Sequence, residues 1–165
     1  MKKLIVAIFA CSVLLGACGT CCAKEYPVST STLNGLKALV EDQATYTSNL
    51  QQRVIQDMAS VEAGEIAVVI GKSMELTVVN AALSSLYKML QMEQSHGDKN
   101  QFDPAAMDII KQYIANIGTY IDGAAKSCEG LALKCGDLNS KFAQTPEFLN
   151  RDKEHLNKIL AELGQ

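Results

Sequence analysis

The chain is expected to be all-α, an antiparallel helical bundle of three long helices and a shorter C-terminal one, and three features predict it. From residue 32 to the end, apolar residues recur at intervals of three and four. Twice a capping side chain is followed by proline, at Asp103-Pro104 and Thr145-Pro146, the pattern of a helix start. Connections of moderate length separate the apolar runs, which favours antiparallel neighbours.

The first helix is expected over 32–61. Ser29, Thr30, Ser31 and Thr32 offer capping hydroxyls, and Leu33, Leu36, Val40, Tyr46, Leu50, Val54, Met58 and Val61 form one stripe. The second carries Ile66, Val69, Leu76, Leu83, Tyr87 and Leu90, joined by Ile70, Val79 and Leu86. A helix apolar over so much of its circumference is expected to be the most buried member of the bundle. Its opening IAVVIG, 66–71, is β-branched and glycine-bounded like a strand, but the helical period continues on both sides. Asn80 within it suits a register-setting polar group. The polar run EQSHGDKNQ, 93–101, reads as a loop.

Asp103-Pro104 starts the third helix, whose Met107, Ile110, Ile114, Ile117, Ile121, Ala124 and Cys128 make a narrow seam of the coiled-coil type. Beyond it, Leu131, Leu138 and Phe142 continue a weaker pattern through a segment punctuated by Gly130 and Gly136, read as a short helix. Thr145-Pro146-Glu147 then opens the last helix, with Phe148, Leu149, Leu156, Ile159, Leu160 and Leu163.

Ahead of the bundle stand Lys2 and Lys3, then an apolar stretch over 4–15 broken only by Ser12. About 20 apolar residues are needed to span a bilayer, so this stretch has the length of a secretory signal instead. Leu15-Gly16-Ala17-Cys18 follows and resembles the lipobox of bacterial lipoproteins. Cys11 would leave almost no apolar stretch before it, and Cys21 follows the less suitable Thr20. The resemblance implies a signal peptide over 1–17, with Cys18 acylated by chains such as palmitate and made the new N-terminus. It places the protein in the bacterial cell envelope, anchored to the membrane by lipid. Gly19 is not an inner-membrane retention signal of the aspartate type, which favours the outer membrane in a cell that has two. Residues 18–31, rich in Gly, Thr, Ser and Pro, would be the flexible tether, and 32–165 the bundle domain. Cys21-Cys22-Ala23 offers the alternative of cleavage before Lys24, giving a soluble periplasmic protein.

Without the leader, roughly 150 residues remain, the size of one domain. They carry thirteen basic and eighteen acidic groups. The basic ones are spread singly, which argues against nucleic acid as a partner. The chain lacks tryptophan, so stacking platforms are poorly supplied.

Catalytic and cofactor signatures are missing as well. No nucleophile elbow, zinc-protease helix, P-loop or dinucleotide fingerprint occurs, and the only histidines are His96 and His155. Glu93 and His96 make half of a di-iron helix motif with no second half. An enzyme is not expected, nor a metal or other cofactor. Cys128 and Cys135 bracket a glycine-marked turn, and in an exported protein they are expected to form a disulfide. The expected function is that of a membrane-anchored envelope lipoprotein whose bundle is a protein–protein interaction or structural module, its partner another envelope protein. The alternative is a carrier of haem or an apolar ligand between the helices, with Met58 and His155 as conceivable axial ligands.

Overall fold

The computed structural model describes residues 28–98 and 103–163. The expected signal peptide, Cys18 and residues 18–27 of the tether lie outside them. Among the described residues there are four α-helices and no strand: α1 (Thr30–Asp57), α2 (Ile66–Asp98), α3 (Pro104–Cys128) and α4 (Gly136–Glu162), with a 3-10 turn, Met58–Ser60, after α1.

The bundle begins before residue 32. Val28 is buried, and Ser29 caps α1 by accepting the Thr32 N–H at 3.0 Å. The Thr32 hydroxyl donates to Glu162 at 2.7 Å, tying the first turn of α1 to the last turn of α4. At its other end α1 stops at Asp57, because the chain tightens into the 3-10 turn and then extends at Val61 to bury that side chain.

In α2 the β-branched opening is helical, as its neighbours' period required. The helix also absorbs the polar segment as far as Asp98, so residues 93–98 are helix rather than loop. Glu93 and Gln94 are good helix formers, and the segment is tied to the first helix where Gln94 donates to the Thr30 hydroxyl at 3.4 Å. α3 follows the sequence closely. Asp103 accepts the Ala105 N–H at 2.9 Å with Pro104 in the first turn, and all seven seam residues are buried. The chain leaves α3 through Gly130, whose φ of +69° is the left-handed conformation that favours glycine.

α4 corrects the expectation of a shorter C-terminal helix that starts at Thr145. It is one helix of 27 residues, longer than α3 with 25, and it runs through Pro146. Proline inside a helix removes one backbone hydrogen bond and costs about 3 kcal/mol. Burial of the apolar side chains outweighs that cost, since Leu138, Phe142, Leu149, Leu156 and Ile159 lie buried along one face. The Thr145 hydroxyl therefore does not cap a helix but meets the Tyr46 hydroxyl of α1 at 2.8 Å.

Each helix packs on the one before and after it, and α4 closes the ring on α1 through the least extensive of the four seams. At one end of the bundle the α3–α4 link is held to the α1–α2 connection by Lys134, which pairs with Glu62 at 2.7 Å. The chain enters at the opposite end, beside the C-termini of α2 and α4.

Candidate functional site

α2 is not the most buried helix. By length and composition it is the one helix among the described residues apolar enough to cross a membrane, yet only a third of its most apolar stretch is buried. One face fills the core with Val69, Leu76, Val79, Leu83, Leu86 and Leu90. On the opposite side Ile70, Met74 and Val78, one turn apart, are 43%, 64% and 53% exposed. Apolar residues all round a helix thus mark two faces here, one packed and one open.

The open face continues onto α3. Ser127 meets the Glu75 carboxylate and so marks the flank of α3 that borders α2. Counting back along that flank at helical spacing gives Gly123, Tyr120, Asn116, Tyr113 and Ile109, none of them charged. Tyr120 and Ile109 are exposed, as is Met92 near the end of α2. Where Gly123 has no side chain, a hollow of about 340 Å³ opens between Val78, Val79, Thr119 and Tyr120. From Met74 to Met92 this line of α2 runs about 27 Å at 1.5 Å per residue, apolar at Met74, Val78 and Met92 and crossed by exposed Ser85 and Lys88. Glu75, at one end, is already engaged by Lys72 at 3.3 Å and by Ser127. Lys88 is the other charge on α2 within that length.

A second feature lies at the α1–α4 seam. Tyr46 stacks on Phe148 with ring centroids 3.9 Å apart, and the Arg151 guanidinium lies 4.8 Å over the Phe148 ring. Arg151 also pairs with Asp42 at 2.5 Å. Burial pushes the Tyr46 hydroxyl up from its ordinary value, with the Thr145 hydrogen bond opposing. Beneath this seam Gln43 and Asp152 are completely buried. Burial raises the Asp152 carboxyl to about 7, against the lowering effect of Arg151 and with a contribution from Asp42.

The other residues singled out in the sequence are placed as follows. Cys128 ends α3 and is buried, and half-buried Cys135 precedes α4. Both thiols are free, so the expected bond between them is not formed in the structure. Burial raises the Cys128 thiol above its ordinary value, which reduces its thiolate fraction. Glu93 and His96 lie 3.7 Å apart, one turn from each other on α2, and no group of three or more metal-ligating side chains occurs among the described residues. His155 lines the α1–α4 groove with Gly35, Ala38 and Asp42, whereas Met58 follows the far end of α1. Some twenty residues of α1 separate those levels, about 30 Å, so the two do not converge on one iron. Cys18 lies outside the described residues.

No protein-family model, curated protein or solved structure matches the chain.

Proposed function

We propose that this chain is an exported bacterial envelope lipoprotein, held to the membrane through Cys18, whose bundle acts as a protein–protein interaction module. The observation that supports the docking role is the open apolar face of α2 and α3. Folding has used a separate face of α2 for the core, so the exposed Ile70, Met74 and Val78 contribute nothing to it and leave apolar surface in water. Contiguous exposed patches of this kind mark interaction sites on soluble proteins, and a low density of charge is the compositional mark of an interface core.

The anchor supplies localisation. Residues 18–27 reach at most about 35 Å when extended, and the chain enters the bundle at the end where Met92 and Ile109 lie. That end stands toward the membrane, and the apolar face runs away from it. Export also gives Cys128 and Cys135, at the far end, an oxidising environment in which to pair.

Two variants test the reading. Cys18→Ser removes the acylated thiol and moves the protein from the detergent phase to the aqueous phase. The doubly substituted Met74→Lys, Val78→Lys protein keeps its melting temperature because both positions are exposed. In gently solubilised envelopes it migrates at the size of the free chain, while the wild type migrates as a larger complex. Identical migration of wild type and variant counts against the docking role.

A further inference from the structure

On the outer side of the α1–α4 seam, Asp42 and Arg151 fasten the two helices at 2.5 Å. The next residue on each helix turns inward, and these are Gln43 and Asp152, both with 0% exposure. One turn along α1 from Gln43 stands Thr47, also buried. Asn80 of α2 lies at the level of Thr47, since Gln51, a turn beyond Thr47, donates to Thr77, a turn before Asn80, at 2.9 Å. Asp152, Gln43 and Thr47 thus follow one another along the interior, and half-buried Asn80 stands at the level of Thr47 with its side-chain oxygen turned away from solvent.

Both oxygens of Asp152, both amide atoms of Gln43, the Thr47 hydroxyl and the Asn80 carbonyl oxygen are buried without a hydrogen-bond partner in the protein. Leaving so many polar atoms unpaired would cost as much as the whole stability of a domain this size. Water can both donate to the carbonyl oxygens and accept from the Gln43 amide, and a polar interior is where buried water is retained. The charges around Asp152 do not compensate a buried carboxylate. Asp42 faces it from α1 but is paired with Arg151, and Lys153 of α4 is paired outward with Asp122 of α3 at 2.6 Å. His155, one turn along α4, is exposed, and at this level α2 and α3 turn only Leu83, Leu86, Ile117 and Ile121 inward.

We propose that Gln43, Thr47, Asn80 and Asp152 form a hydrated internal site between α1, α2 and α4 that binds a proton at Asp152, and that release of this proton loosens α4 from α1. The site sits under the least extensive seam of the ring, so an unpaired charge there is relieved most readily by parting α1 and α4. Neutral Asp152 closes the seam and ionised Asp152 opens it, which makes the bundle tighter on the acid side of neutrality. The device is independent of the α2–α3 face and of the anchor.

The test uses the full chain in detergent micelles, with aspartate labelled by ¹³C at the side-chain carboxyl and followed by NMR from pH 4 to pH 9. One carboxyl, absent from the spectrum of Asp152→Asn, is expected to titrate near neutrality. Over the same range, amide exchange in α4, corrected for intrinsic rate, is expected to lose at least tenfold protection in the wild type. It should stay flat in Asp152→Asn. If every aspartate titrates in the ordinary carboxylate range, or if α4 protection is independent of pH in the wild type, the proposal is overturned. Both readouts on the wild type stand even where the variant does not fold.

Discussion

Replacing Asp152 by Asn should make the bundle more stable at neutral pH, and the size of the gain can be worked from the folded structure. The carboxyl titrates at 3.8 when exposed and is raised to about 7 in the fold, chiefly by burial. A tenfold difference in proton affinity between the folded and unfolded chain is worth about 1.4 kcal/mol, so the wild type loses roughly 4 kcal/mol between pH 4 and pH 8. The sign follows from proton uptake. Between the two values the folded state keeps a proton that the unfolded chain has released, so stability is fully present below about pH 4 and falls as pH rises through about 7. Asn is close in shape and cannot ionise, so the variant lacks this loss. Urea unfolding at unit steps from pH 4 to pH 8 measures the difference. The two stabilities should approach each other at pH 4 and diverge to about 4 kcal/mol by pH 8, a midpoint change of roughly 2 M at ordinary urea sensitivities. Ion pairs elsewhere titrate equally in both proteins and cancel. Parallel stability curves across the range would refute the reasoning, because they would mean that Asp152 ionises in the fold as freely as in the unfolded chain.

Two further outcomes follow from the packing and a third from the proposed export. Ile114→Asp puts an unpaired charge into the centre of the α3 seam, where the side chain is 1% exposed. It should cost at least 3 kcal/mol or abolish cooperative melting by circular dichroism. Pro146→Ala restores the N–H that α4 lacks and should raise stability by about 1–2 kcal/mol, read as a higher melting temperature. For the protein recovered from the envelope, alkylation under denaturing conditions without reductant should leave Cys128 and Cys135 unmodified by intact mass, and labelling of both would show that they do not pair after export.

How far the sequence could be read depended on whether local signals and packing agreed. At Asp103-Pro104 they coincide, because the cap, the proline and the isoleucine seam all specify one start and one buried face. Thr145-Pro146 carries the same local signal, but Leu138, Phe142 and Leu149 keep the helical spacing across it, and burial of that face overrode the break. The end of α2 was hidden for a different reason. Polarity marks exposure, and a solvated last turn of helix is as polar as a loop. The even spread of apolar residues in α2 was visible, but it reads the same whether a helix is surrounded by protein or has a second, open face.

The buried polar residues did leave a trace. Gln43 stands four residues after Leu39 and seven before Leu50, and Asp152 three after Leu149 and four before Leu156, all core positions of their helices. Following Tyr46 instead of Gln43 and Thr47 shifts the apparent stripe of α1 toward the α4 seam, where Tyr46 does pack on Phe148. A polar residue at a core register position was the signal, and only the neighbouring helices show that it has company.

The claim of a membrane-held docking module is tested most directly by placing a photo-crosslinking residue at Val78 in the full chain, produced in its native envelope. A discrete adduct with one other envelope protein is expected from Val78, none from Asn150 on the opposite side of the bundle, and a marked loss of the adduct when Cys18 is also replaced by Ser. The same adducts from both positions, or an adduct from Val78 that is indifferent to Cys18, would contradict it.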